Sequence, residues 1–425
     1  MNKQRPAIYP FKEFSIDYPE PIIMPNGVRL YVAAGGEQEV NRLDVIHRGG
    51  SFEAAPHRLV AQFVASQLSQ GTGGRSSQDI AECFDYNGAW SNGRVAYHHT
   101  TVSLNSLNRC FDKTLPVVRD MIFDPVFPQR EFEVFRNRSI ASFQVSRQRV
   151  KYMAGMEMAR IFFNDDYPLA SPVTDEEILA VNTELLKQFH RKYFHAANRM
   201  VVLSGGVSQR EIDMVTEAFG QDAATEPVSP YAEVNHRHSD CHFSFVEMNN
   251  AVQSAIQIQL PAVKRTHPDY FNLRILVTAL GGYFGARLMT NLREEKGYTY
   301  GIYASLLGTL ETGYVSISTE CDCAYTEAII DEVKKEIELL RNEPLSQHEL
   351  ELVKSNMLGD LVKNNDTPFN MANNVGGMEL YGIYPQYFND HIAAIRAVTP
   401  EALLDVARRY FIPEELYVVV AGRMK

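Results

Sequence analysis

Met200-Val201-Val202-Leu203-Ser204-Gly205 and Tyr417-Val418-Val419-Val420-Ala421-Gly422 are two apolar runs that end on glycine. Each follows the same kind of segment. Glu184 opens a helical pattern that closes on Tyr193-Phe194, and Glu401 opens one that closes on Tyr410-Phe411. The differences 401 − 184, 411 − 194 and 422 − 205 all equal 217. A second echo lies upstream, where Gln129-Arg130-Glu131-Phe132-Glu133 matches Gln347-His348-Glu349-Leu350-Glu351 at an offset of 218. A repeat at constant offset marks a duplicated unit. The 425 residues are also more than one hydrophobic core usually serves, so two domains of about 200 residues are expected.

Within each copy, β-branched runs at 42–47, 100–104 and 314–319 read as half-buried strands, and 78–86 and 325–341 read as amphipathic helices. The fold class is α+β, two homologous domains, each a mostly antiparallel sheet covered by helices. The proline-bearing polar stretch 222–240 reads as the linker, which gives domains at 1–221 and 241–425.

Hydrophobic residues make up 45% and charged residues 22%, the balance of a soluble globular chain, and the net charge is −11 with a pI of about 5.6. Such a surface repels nucleic acid and anionic lipid unless a basic patch compensates, and none is seen. The first residues lack the apolar core of a signal peptide, and no apolar run reaches the ~20 residues that span a bilayer. Five cysteines, at 83, 110, 241, 321 and 323, are an odd, sparse set that suggests reduced thiols and a cytoplasmic location.

Gln62-Phe63-Val64-Ala65-Ser66 followed by a stretch ending in Gly71-Thr72 resembles the signature of the pitrilysin/insulinase family of zinc peptidases, which includes mitochondrial processing peptidases. The family's version is His-Phe-Leu-Glu-His. Its two histidines and a distant glutamate hold zinc, and the glutamate beside the second histidine deprotonates the attacking water. By the resemblance, those positions fall here on Gln62, Ser66, Ala65 and, on a helix at 131–143, Ser142. Ala65 cannot accept a proton, and neither Gln62 nor Ser66 is a usual zinc ligand. No metal or other cofactor is therefore expected in this chain. Asn92, His99 and Thr100 fit the family's following strand at the right spacing, which supports the alignment.

The second half keeps more of the pattern. His267-Pro268-Asp269-Tyr270-Phe271, Leu280-Gly281-Gly282, Arg287-Leu288 and the run from Leu292 to Tyr300 are similar to the family's C-terminal signature, so the resemblance spans essentially the whole chain. In active relatives an arginine and a tyrosine seven residues apart bind the substrate carbonyl region and stabilise the oxyanion, roles that fall here on Arg293 and Tyr300. Some family members divide the labour between a zinc-bearing chain and one with only this pair. The resemblance thus implies a bacterial-type non-zinc subunit in a heterodimer, with zinc in the homologous partner and unfolded peptides as substrate. A homodimer is left open. The rivals are a catalytically dead scaffold or peptide-binding homologue, and an autonomous peptidase with a different metal set.

Each motif also has a plainer reading. Arg293 heads an Arg-Glu-Glu-Lys run that on its own reads as a solvated helix end, and Tyr300 alone reads as a packing residue. His238 and His242 repeat the i, i+4 spacing, with His236 nearby, but on a strand they would lie roughly 13 Å apart. His98 and His99 alternate faces and cannot share one ion. Gly281-Gly282 lacks the following Lys-Ser/Thr of a phosphate loop and reads as a tight turn.

Overall fold

The computed structural model describes residues 13–163, 167–168, 170, 173–223, 226–234, 237–383 and 385–423. His236 lies outside them, as one of four such positions in the 222–240 stretch. By contacts the chain divides into two compact units. One comprises Tyr18–Ser239 with Asp366–Gly382, the other Asp240–Asn365 and Ile383–Lys425 with the residues up to Asp17.

The N-terminal unit carries strands β1 (Ile22–Ile23), β2 (Arg29–Ala34), β3 (Val40–Arg48), β4 (Gly71–Thr72), β5 (Arg75–Ser76), β6 (Trp90–Val95), β7 (His99–Leu107) and β8 (Arg199–Gly205). The short β4 and β5 pair with each other, and the main sheet runs β1-β2-β8-β3-β7-β6. All its pairs are antiparallel except β2 with β8. Helices α1 (Val60–Gln67), α2 (Ser77–Asn87), α3 (Phe111–Phe123), α4 (Gln129–Ser146), α5 (Val150–Phe163), α6 (Asp175–Ala180), α7 (Thr183–Tyr193) and α8 (Gln209–Phe219) complete the linear part of this unit. Its core joins Leu43, Val45, Val102, Leu104, Val201 and Leu203 of the sheet to Phe63, Phe111, Val118, Phe189 and Phe219 of the helices. Burying each such side chain contributes about 1.5–3 kcal/mol.

The C-terminal unit carries β9 (Phe243–Glu247), β10 (Gln253–Ala262), β11 (Thr299–Gly308), β12 (Gly313–Asp322) and β13 (Tyr417–Gly422), in the order β11-β12-β10-β13-β9. Reversed, this is β9-β13-β10-β12-β11, the same arrangement as β2-β8-β3-β7-β6. Again one pair, β13 with β9, is parallel and the others antiparallel. The helices in sequence are α9 (Tyr270–Val277), α10 (Thr326–Asn342), α11 (Gln347–Lys363), α12 (Pro368–Tyr381), α13 (Tyr387–Ala397) and α14 (Pro400–Tyr410). α12 is the exception in placement, since it belongs to the N-terminal unit.

The two repeated segments fold alike for local reasons. Helix α7 is capped by Asn182, whose side chain accepts the Leu185 N–H at 3.0 Å, and α14 by Thr399, which accepts from Ala402 at 3.3 Å. Glu184 and Glu401 sit in the first turns, with His190, Arg191, Lys192 and Arg408, Arg409 in the last. That order of charges favours the helix dipole at both ends. The strands that follow, β8 and β13, are buried along their whole lengths. This matches a run of apolar residues flanked by strands on both sides.

Candidate functional site

Helix α1 is short and mostly buried, with Gln62 exposed and Ser66 half-buried one turn apart. These two side chains serve each other and the helix. The Gln62 amide donates to Ser66 Oγ at 3.4 Å, and the Ser66 hydroxyl donates to the Gln62 carbonyl at 2.8 Å. Ala65 is 4% exposed and lies against the edge strand β6. A Cβ on Gly93 would come within 2.4 Å of the Ala65 carbonyl oxygen. Helix α4 packs on α1 through Phe63, whose ring meets Phe132 at 5.7 Å and Phe135 at 4.9 Å. Ser142 stands two turns beyond Phe135 and is exposed. Among the described residues no hydrogen bond joins its side chain to Gln62 or Ser66. An amide, two hydroxyls and a methyl group do not fit zinc, and Ala65 offers no base. Among the described residues no cluster of three or more His, Cys, Asp or Glu could hold a metal.

Arg293 and Tyr300 do come together. Arg293 lies on the wide helical turn Met289–Glu295, and Tyr300 is the second residue of β11. The Arg293 guanidinium rests 4.4 Å from the centre of the Phe284 ring and 5.3 Å from that of Tyr300. Both rings are open to solvent, Phe284 at 56% and Tyr300 at 90%. Despite its Glu-Glu-Lys neighbours, Arg293 makes no ion pair among the described residues. Its neighbour Lys296 takes Glu332 instead, at 2.6 Å. Two aromatic faces orient the cation without neutralising it.

Strand β11 is an edge, bonded only to β12, and its register slips between Thr299 and Ile302. The slip brings Tyr303 to the exposed side as well, at 55%, with its ring over Gly301. Gly281 explains how the turn before Arg293 sits so close. A Cβ there would meet the Ala304 backbone nitrogen and Cβ at 2.8 Å. The Gly281-Gly282 pair is therefore the last turn of a helix pressed on β11, with Gly281 at φ −164°, and close approach is what requires the glycine. Phe284 and Tyr303 belong to no motif read from the sequence. The signal available was the aromatic pair Tyr283-Phe284 directly after Gly281-Gly282.

The histidines fall elsewhere. His238 Nδ1 bonds the Phe162 carbonyl at 2.7 Å, and His242 stacks on Tyr417 at 4.4 Å. His98 pairs through Nδ1 with Glu53 at 2.7 Å, both side chains nearly inaccessible. His99 sits opposite Arg48 on β7, and burial, then the charges of His98 and Arg94, bring its imidazole down to about 4. Asn92 is exposed on β6, the edge strand of its sheet, opposite Ser103.

Comparison with known proteins places this arrangement. Residues 180–357 match the family model described as the Peptidase M16 inactive domain. An uncharacterized zinc protease of Streptomyces coelicolor is 23% identical over 372 residues, covering 85% of this chain and 80% of the relative. A non-peptidase homolog of Helicobacter pylori is 22% identical over 329 residues, covering 75% and 74%. The crystal structure of a peptidase M16 inactive domain from Pseudomonas fluorescens superposes with a TM-score of 0.86 at 22% identity, over 96% of this chain and 98% of that one. With its duplicated α+β fold and its replaced zinc-motif residues, the chain is similar to inactive-type members of the pitrilysin/insulinase (M16) peptidase family.

Proposed function

We propose that this chain is the non-zinc subunit of a heteromeric peptidase of its family, bringing Arg293 and Tyr300 to a peptide held in the active site of a zinc-bearing homologous partner. The observation that carries the reading is the state of Arg293, a guanidinium without an ion pair among the described residues, held by two exposed rings. A fixed cation and a neutral phenol donor suit the negative charge that develops on the carbonyl oxygen during peptide cleavage. The chain itself supplies neither zinc ligands nor a base on α1, which supports placing that chemistry in the partner. Substrates are unfolded peptides, taken up by strand addition, a mode that reads backbone more than side chains. The compartment is cytoplasmic, which is supported by five free cysteines and by the absence, among the described residues, of any helix long and apolar enough to cross a membrane.

The test is peptide hydrolysis by this chain alone, by a zinc-bearing homologue from the same source alone, and by the mixture. The expected result is cleavage in the mixture that exceeds either chain alone and is lost with Arg293→Ala and strongly reduced with Tyr300→Phe. A second reading, a catalytically dead scaffold or peptide-binding homologue, is favoured by the description of the Helicobacter pylori relative as a non-peptidase. A silent mixture in which no complex forms would put that reading first.

A further inference from the structure

A cavity of about 70 Å³ in the N-terminal unit is lined by Arg29, Ile46, Arg48, Met200, Tyr231 and Glu379, among others. Strand register explains which side chains can face it. Met200 pairs with Ile46 on one side and Arg29 on the other, and Arg48 is two residues beyond Ile46. Residues paired across strands, or two apart along one, share a face, so these four project together. Arg199 also lines the cavity, but its side chain alternates to the opposite face of β8. There its Nε donates to His47 at 3.1 Å and its Nη1 to Asp222 at 2.8 Å, so its charge is used elsewhere.

The charges on the cavity wall do not balance. Glu379 is already engaged, accepting from the Tyr31 hydroxyl and pairing with Arg29 at 3.2 Å. Arg48 is half-buried at the end of β3 and has no carboxylate partner among the described residues. Its guanidinium lies 4.4 Å from the centre of the Tyr231 ring, which orients it but leaves the charge in place. The Tyr231 hydroxyl is tied to the Leu380 carbonyl at 3.4 Å, so the ring is held as a wall. Two arginines thus face one carboxylate, and a cation partly withdrawn from water without a counter-charge is costly.

We propose that this cavity is a binding site for one small oxyanion, a carboxylate or a phosphate group, gripped by the planar fork of Arg48 with Arg29 as the second donor. Guanidinium groups match both anions with paired, charge-assisted hydrogen bonds. The volume admits one such group, since a single water needs only about 10–15 Å³ of space of this kind. The site is independent of Arg293 and Tyr300 and needs no partner chain.

The experiment is isothermal titration of the full chain, in phosphate-free buffer, with sodium phosphate and separately with sodium acetate, ionic strength being held with sodium chloride. One saturable site for at least one of the two anions is expected. Its affinity falls about tenfold or more in Arg48→Met, which keeps the stem but not the fork, and falls less in Arg48→Lys. Arg138→Met, which removes an exposed arginine on α4, leaves it unchanged. Binding of phosphate alone would assign the site to a phosphorylated small molecule, and of acetate alone to a carboxylic acid; either supports the oxyanion site. No saturable heat with either anion in the unmodified chain overturns the proposal, as does equal binding by a folded Arg48→Met. Should circular dichroism show Arg48→Met unfolded, Arg48→Lys provides the comparison, and affinity unchanged in it, or weakened equally by Arg138→Met, overturns the proposal.

Discussion

Arg293 and Glu53 hold their charges in opposite ways. Arg293 is half-buried, oriented by rings and without an ion pair among the described residues, so its charge is available to an arriving group. Arg293→Lys keeps the charge but loses the planar stack, and kcat/KM of the mixed peptidase should fall about tenfold, measured with a fluorogenic peptide. Glu53 is closed off, its side chain 2% exposed. Burial raises its carboxyl, but the His98 contact and the N–H groups of Ala232 and Gly50 outweigh that and bring it below the usual range. Because the folded value is depressed, the stability Glu53 contributes is present above the ordinary carboxylate range and is lost as pH falls through the folded value. Glu53→Ala removes one partner of an enclosed pair and should cost about 3 kcal/mol in urea unfolding at pH 7. The sequence displayed the Arg293 and Tyr300 spacing but not the Glu53–His98 pair, whose members are 45 residues apart and meet only once β3 and β7 align.

At the level of elements, two contacts decide how the helices sit. β6 approaches α1 so closely at Gly93 that any Cβ meets the Ala65 carbonyl. Gly93→Val should therefore destabilise the chain by about 1–3 kcal/mol, read from the urea midpoint, because backbone rather than a flexible side chain must yield. Helix α13 buries His391 at 1% exposure, stacked 5.0 Å from Phe271, with neither ring nitrogen hydrogen-bonded among the described residues. Burial, helped by the charge of Arg274, brings this imidazole down to about 3. An unfolded histidine titrates near 6.5, so between about 6.5 and 3 the unfolded chain binds a proton that the folded chain refuses. Stability then falls with acid by up to about 1.4 kcal/mol per pH unit from this group. His391→Phe should make the pH dependence of the urea midpoint shallower by about one proton, the slope from His47, His99 and His190 remaining. Strand and helix positions at this scale were legible. The stretch expected at 78–86 is Ser77–Asn87, and that at 325–341 is Thr326–Asn342, since periodicity needs only neighbours along the chain.

For the whole molecule the informative element is α12, which comes from the second repeat in sequence yet covers the first sheet. Arg42 reaches the Asn373 side chain at 2.7 Å, Tyr31 and Arg29 hold Glu379, and Gly376 sits where a Cβ would strike Ile46. Two separately encoded halves, 18–239 and 240–425, should therefore co-purify when expressed together, and Arg42→Ala with Tyr31→Phe should weaken that association on size-exclusion chromatography. By itself the sequence determined the duplication, the α+β class, the family pattern and the loss of a zinc-binding donor set, because each rests on residue type at fixed spacing. Only the tertiary structure decided that α12 belongs with the first sheet, that Phe284 joins Tyr300 around Arg293, and that Arg48 has no carboxylate partner among the described residues. These depend on which distant residues share a face, and strand register and helix docking set that through packing rather than through any local pattern.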